Sequence, residues 1–140
     1  MHLHATIAIE ADPARVWEVL TDVERYPQWT TSMTGVERLD PGPLRPASRV
    51  RITQPRLPTT VWTVDDIEPE QGFTWSSRTR GITTVAGHRL NRPVGGPLTV
   101  TLTIDQHGPL APVVALLAGR LTRRYLRLET VGLRAESERP

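Results

Sequence analysis

LTVTLTIDQHGPLAPVVALLAGRLTRRYLRLETVGLRAES, residues 98–137, decides the fold. Its first part alternates. Leu98, Val100, Leu102 and Ile104 fall on one face and Thr99, Thr101 and Thr103 on the other, the period of a half-buried strand. After Gly108 the period changes, and Pro109 to about Ser137 reads as one helix, roughly 40 Å long at 1.5 Å per residue. Val114, Leu117, Leu121, Tyr125, Leu128 and Gly132 are read as its apolar face. Arg120, Arg123, Arg124, Arg127 and Arg134 are read as nearly the opposite, solvated face. A sheet with one apolar face and a helix with one apolar stripe must cover each other.

Upstream, Leu3 to Glu10 also alternates apolar and polar, as a strand. Asp12 and Pro13 are an N-cap and a first helical residue, and Val16, Trp17, Val19 and Leu20 follow at helical spacing. Asp22 can cap a second short helix, which Pro27 limits. Five strands are then expected over Val36–Asp40, Arg49–Gln54, Thr60–Ile67, Gly72–Arg78 and Ile82–Asn91, before the one that starts at Leu98. Pro, Gly and Asp clusters separate them, and such short connections favour antiparallel meanders. The expectation is one α+β domain over residues 1–140. A curved antiparallel sheet of six to seven strands wraps around a long C-terminal helix, with two short helices after the first strand.

A long sheet twists and coils, so a helix held in it leaves space unless large side chains fill it. The chain has four Trp, two Tyr and one Phe. An internal cavity is therefore expected, with an apolar ligand inside.

Composition removes several chemistries. No cysteine is present, so no thiol nucleophile, thiolate metal site or disulfide framework exists. All 17 basic residues are arginine; without lysine, only the N-terminal amine could form a Schiff base. A formal charge of +2 is small for a nucleic-acid binder, and no such partner is expected. Met1-His2-Leu3-His4 lacks the features of a signal peptide, and no run is long enough to cross a membrane. A cytoplasmic location is expected. There is no His-Glu-x-x-His helix, phosphate loop or nucleophile elbow. His2 and His4 share a strand face, but no metal site and no cofactor are expected. Asp65 and Asp66 are adjacent on a strand, so their side chains diverge unless a bulge intervenes.

Alternation places His88 on an apolar face with Ile82, Thr84, Ala86 and Leu90. Pointing inward, it could donate a hydrogen bond to a ligand carbonyl or act as general acid or base. Tyr125, on the apolar face of the long helix, is the second candidate for proton transfer or hydrogen bonding. Glu129 lies one turn on; a bond to Tyr125 fits the spacing, and a solvated carboxylate is the reading preferred. Arg49 and Arg51 alternate with Val50 and Ile52 and are read as outward, becoming cavity donors only if the register is opposite. Gln54 shares the Val50 side as an inward polar candidate. The expected ligand contacts are Trp29, Met33, Gln54, Trp62, Trp75, His88, Leu117, Leu121 and Tyr125.

Four stretches together carry a resemblance over nearly the whole chain. They are Ile9 to Asp22 continuing through Glu24-Arg25-Tyr26-Pro27-Gln28-Trp29; Trp62-Thr63-Val64 with Ile67-Glu68-Pro69 and Phe73-Thr74-Trp75; Gly87-His88-Arg89-Leu90; and Gly108 to Pro112 leading into Leu121 to Leu126. In this order they resemble the START-like, helix-grip superfamily and, within it, the polyketide cyclase/dehydrase family. The resemblance implies a hydrophobic ligand cavity, with Trp29 near its entrance. It implies an apolar ligand of polyketide, lipid or quinone type, bound without a cofactor. Alternatively, it implies a polyketide cyclase or dehydratase that works by positioning its substrate and relaying one proton. Apart from the resemblance, the arginine stripe of the long helix could contact a phosphate surface, an acyl-carrier protein or an anionic membrane, with a solvated outer face the reading preferred.

Overall fold

The computed structural model describes the whole chain, Met1–Pro140. In chain order the elements are β1 (His2–Ala8), α1 (Pro13–Thr21), a 3-10 turn (Val23–Arg25) and α2 (Tyr26–Trp29). Then come β2 (Gly35–Arg38), β3 (Arg49–Thr53), β4 (Thr60–Glu68), β5 (Gly72–Thr79), β6 (Ile82–Asn91), β7 (Thr99–His107) and α3 (Ala111–Ser137). Seven strands make one curved antiparallel sheet in the order β1-β7-β6-β5-β4-β3-β2. β1 and β2 are therefore opposite edges, and α1 and α2 carry the chain from one to the other.

Pro27 does not end the second helix. It sits in the first turn of α2, where its missing N–H costs nothing. Asp12 occupies the N-cap of α1 without a side-chain bond; its carbonyl takes the N–H groups of Arg15 and Val16.

The register sets the inner face of the sheet. Phe73, His88 and Leu102 lie side by side across β5, β6 and β7, and Trp75, Ala86 and Ile104 form the next row. Phe73, Trp75, Ala86, His88 and Leu102 are all buried. Arg49 and Arg51 face out, where they pair with Asp40 and Glu37. A bulge between Val64 and Asp66 leaves both Asp65 and Asp66 exposed.

α3 covers this face, but not with the stripe expected. Its buried residues include Ala111, Tyr125, Leu126, Thr130, Gly132 and Leu133. Leu117 is 79% exposed. The buried stripe is rotated by roughly a quarter-turn at about 100° per residue. The cause is close approach. Small residues hold part of the packed side: Ala111 is buried, and a Cβ at Gly132 would sit 2.0 Å from the Trp29 carbonyl oxygen. A reading that follows leucines misses a stripe made of alanine and glycine. No helix is long and apolar enough to cross a membrane.

Candidate functional site

A pocket of about 60 Å³ lies between the inner face of the sheet and α3. Trp75, Ala86, His88, Leu102 and Ile104 form its floor. Met33, Ile52, Gln54, Leu57 and Trp62 close one side, and Thr122, Tyr125, Leu126 and Glu129 hang from the helix. At roughly 10–15 Å³ per water, this space holds a handful of waters. The aromatic rings, though few, are concentrated here and fill most of the gap expected from composition. Trp62 and Trp75 stand 6.1 Å apart, and Phe73 meets Trp75 edge-on at 5.2 Å.

His88 is fixed on two sides. Its ring stacks on Phe73 at 4.1 Å, tilted by 11°, and meets Trp75 edge-on. Nδ1 lies 3.2 Å from the Phe73 carbonyl oxygen. A carbonyl only accepts, so Nδ1 carries the proton and Nε2 of the neutral ring is left as an acceptor. Burial pushes the pKa down to about 4, against the smaller opposing effect of the Phe73 bond. His88 thus offers a lone pair, and the reading of it as a donor to a ligand carbonyl does not fit this geometry.

Tyr125 is also committed. Its hydroxyl donates to the Pro55 carbonyl in the β3–β4 loop, not to Glu129. Glu129 instead accepts from Ser32 Oγ at 2.9 Å. Desolvation raises the Glu129 pKa to about 7, only partly offset by the Ser32 bond. Ser32 Oγ also lies 2.9 Å from Thr30 Oγ1, and Gln54 Nε2 donates to the Ser32 carbonyl at 3.3 Å. Behind this cluster, Tyr26 donates to the Leu20 carbonyl. Its phenol is raised well above the usual value by burial, then by the charges of Glu129 and Asp22. The pocket is mostly apolar, with Gln54, His88, Thr103, Thr122, Glu129 and the committed hydroxyl of Tyr125 as its polar groups.

Of the residues read from the sequence, Met33, Gln54, Trp62, Trp75, His88 and Tyr125 line this pocket. Three lie elsewhere. Trp29 packs over Gly132, whose Cβ would meet the Trp29 carbonyl oxygen at 2.0 Å, and it borders a charged cleft with Arg15, Glu18 and Glu136. Leu117 and Leu121 line an outer depression with Arg56 and Arg124. His2 bonds Asp105 on the exterior.

Ser32, Leu57 and Leu126 were not singled out as site residues by the sequence, and Glu129 was read as solvated. For Glu129 a signal existed. It is the only acidic residue between Asp105 and Glu136, in a segment that carries four arginines before it. A solvated carboxylate there would be expected to pair with one of them; this one turns inward.

The family model described as "Polyketide cyclase / dehydrase and lipid transport" matches residues 1–138. No curated protein matches the chain in sequence. Among solved structures, a hypothetical protein of Helicobacter pylori is similar at a TM-score of 0.80 and 12% identity, over 98% of this chain and 86% of that one. Ginseng major latex-like protein 151 from Panax ginseng is similar at 0.79 and 17%, over 99% and 98%. The Zhui aromatase/cyclase of Streptomyces sp. R1128 is similar at 0.72 and 21%, over 99% and 94%. Identities this low speak for the shared fold alone.

Proposed function

The chain belongs to the polyketide cyclase/dehydrase and lipid transport family, and from that membership we propose that its pocket binds an apolar small molecule of polyketide, lipid or quinone type without a cofactor. The observation that carries this reading is the pocket itself, whose mostly apolar walls carry a few polar groups, Gln54, His88 and Glu129 among them. Apolar contact supplies affinity and the polar points set orientation, the usual division of labour in small-molecule sites. The free Nε2 of His88 selects a ligand with a hydroxyl or N–H to donate. A space of about 60 Å³ does not admit a polycyclic molecule, so binding displaces a wall. The wall that moves is the β3–β4 loop, which carries Leu57 and is held to α3 by the Tyr125–Pro55 bond. A cytoplasmic setting, read from the sequence, is part of this proposal.

Native mass spectrometry of the purified protein, with fluorescence titration by an environment-sensitive apolar dye, tests it. One saturable site is expected. It is lost in Thr122→Trp, which fills the pocket edge. Absence of saturable binding, or binding indifferent to that substitution, overturns the reading.

A specific observation favours a second reading, catalysis of cyclisation or dehydration. Glu129 is a pocket carboxyl with a pKa near 7, where proton transfer in both directions is efficient. With a poly-β-keto chain bound, the Glu129 carboxylate takes a proton from the carbon between two carbonyls. The resulting enolate carbon attacks a distant ketone carbon of the same chain, forming a C–C bond, and the Glu129 proton passes to the new alkoxide. Loss of the hydroxyl as water, with one further proton from the adjacent carbon, completes dehydration. No oxidant is consumed. Positioning supplies most of the rate, and an acyl-carrier protein would present the substrate.

A further inference from the structure

One end of the molecule is assembled from the β3–β4 loop, the β5–β6 turn and the first half of α3. The Leu110 N–H donates to the Gly81 carbonyl at 3.0 Å, which joins the start of the helix to the turn. Arg56 and Leu57 border the same depression as Leu117 and Leu121. Leu57 and Thr122, which line the pocket, also belong to this end.

Two properties coincide here. The first is exposed apolar surface: Leu116 is 85% exposed, Leu117 79% and Val113 50%. Scattered exposed leucines need no explanation, but these are contiguous. The second is uncompensated positive charge. Residues 106–128 contain four arginines and no Asp or Glu. Arg120, Arg123 and Arg124 are exposed and form no ion pair. Arg56, also exposed, borders one depression with Arg120 and Arg124.

The two properties share one helix face in a fixed order. Val113, Leu116, Leu117, Arg120, Arg123 and Arg124 follow the three- and four-residue spacing of a single stripe. Along it, the apolar residues come first and the arginines after. Seven residues separate Leu116 from Arg123, about 10 Å along the axis. An interfacial helix lies in the membrane plane with its apolar side chains roughly 5–10 Å into the headgroup and acyl boundary, and a single stripe that carries both leucines and arginines suits that placement.

We propose that this end of the molecule docks on an anionic lipid bilayer. Leu116 and Leu117 seat among the acyl chains, and Arg120, Arg123 and Arg124 meet the headgroup phosphates. A bilayer fits the stripe better than an acidic protein does. Leu116 and Leu117 are highly exposed beside shallow depressions bordered by Arg56, Arg120 and Arg124; a protein partner would need a surface matched to this relief, whereas fluid lipid conforms to it. On such a stripe the leucines enter the acyl boundary while the long arginine side chains reach back to the phosphates. The inference stands whatever the pocket holds. It also brings the pocket-lining Leu57 and Thr122 near the membrane.

Sedimentation of the full chain with vesicles tests this, comparing phosphatidylcholine alone with phosphatidylcholine containing phosphatidylglycerol. Binding to the anionic vesicles is expected, weakening as NaCl is raised, with little binding to the neutral ones. Each arginine near an anionic surface strengthens binding by about fivefold. Arg120→Glu/Arg123→Glu/Arg124→Glu should therefore weaken it by about a hundredfold or more. Leu116→Ser/Leu117→Ser should weaken it by at least about tenfold. These side chains are exposed, so an unchanged melting temperature shows that each variant folds. Failure to bind anionic vesicles at low salt overturns the proposal, and so do variants that bind as the wild type does. Loss of binding to an acidic carrier protein in the arginine variant, with vesicles ignored throughout, overturns it in favour of a protein partner.

Discussion

Ser32 Oγ donates to Glu129 Oε2 at 2.9 Å, tying the segment after α2 to a carboxyl on the inner side of α3. The bond stabilises the charged form of Glu129, while desolvation disfavours it more strongly, and the pKa settles at about 7. Folded protein then holds this proton between about pH 4.5 and 7, where the unfolded chain has released it. In that window the folded state binds more protons, so stability falls as pH rises, by on the order of 3 kcal/mol in total. His88 has the opposite sign. Its folded pKa lies near 4, below the usual 6.5, so its share of stability is complete above about pH 6.5 and is lost as pH falls through 4. The two slopes oppose each other in the middle, and above about pH 6.5 only the Glu129 slope remains. Urea unfolding of wild type and Glu129→Gln should show a stability difference that moves in favour of the variant between about pH 5 and 8. A difference that stays constant with pH would show that Glu129 is not buried as described.

Gly132 is the point where α3 comes closest to α2. A Cβ there would lie 2.0 Å from the Trp29 carbonyl oxygen and 2.9 Å from its Cε3. Backbone cannot yield as the far end of a side chain can. Gly132→Ala gains helix propensity but overpacks this contact, at a cost of about 3 kcal/mol. A lowered melting temperature checks this; an unchanged one would mean that α3 does not bear on Trp29. The control Ala135→Gly, at an exposed helix position, should cost only about 1 kcal/mol.

The strand pattern was legible because its signal has a period of two and the turns carry Pro, Gly or Asp. Predicted and observed bounds agree closely for the strands from β3 to β7. The phase of α3 was not legible to the same degree. Its packed stripe relies on Ala111, Gly119, Gly132 and Thr130, which carry little hydrophobic signal, while Leu116 and Leu117 are conspicuous and face solvent. The same error moved Leu117 and Leu121 into the expected cavity and left Glu129 outside it. His88 was readable from alternation, since an inward histidine on an apolar strand face needs only the register. Its tautomer was not, because that depends on the Phe73 carbonyl, a partner set by pairing across β5 and β6. Trp29 was placed by resemblance, and resemblance does not say which side of α3 a ring lies on.

The proposed route into the pocket passes through the β3–β4 loop, which Tyr125 holds to α3. The Tyr125 hydroxyl donates to the Pro55 carbonyl, and opening the loop breaks that bond. A neutral hydrogen bond contributes about 1 kcal/mol net, so Tyr125→Phe should raise the open population, and with it the association rate of an apolar dye, by about fivefold. Stopped-flow mixing measures the rate directly. The equilibrium affinity should rise by a similar factor, because the bound state does not contain the bond. An association rate that is unchanged or slower would remove the loop from the access route.

Glu129 and His88 make different contributions if the pocket turns over a poly-β-keto substrate. His88 has its Nδ1–H tied to Phe73 and a pKa of about 4, so at neutral pH it is a weak base with no proton to give. It serves as an acceptor that orients a ligand hydroxyl. Glu129 is near half-protonated at pH 7 and can take a proton and return it within one turnover. General acid–base catalysis contributes about 10²–10⁴-fold, so Glu129→Gln should lower turnover by a factor in that range. His88→Phe keeps the stack on Phe73 and loses one orienting bond, so it should cost less than about tenfold. The pH dependence separates the roles further: the wild-type rate should rise through about pH 7 as Glu129 becomes a base, and that rise should vanish in Glu129→Gln. Dye affinity, measured on the same samples, should stay within about tenfold for both variants. If wild type accelerates no cyclisation, the catalytic reading fails while the binding reading stands on its own titration. If wild type accelerates it and Glu129→Gln keeps pace, the proton is moved by another group, and the carboxyl at the pocket wall serves only to hold Ser32 and the ligand.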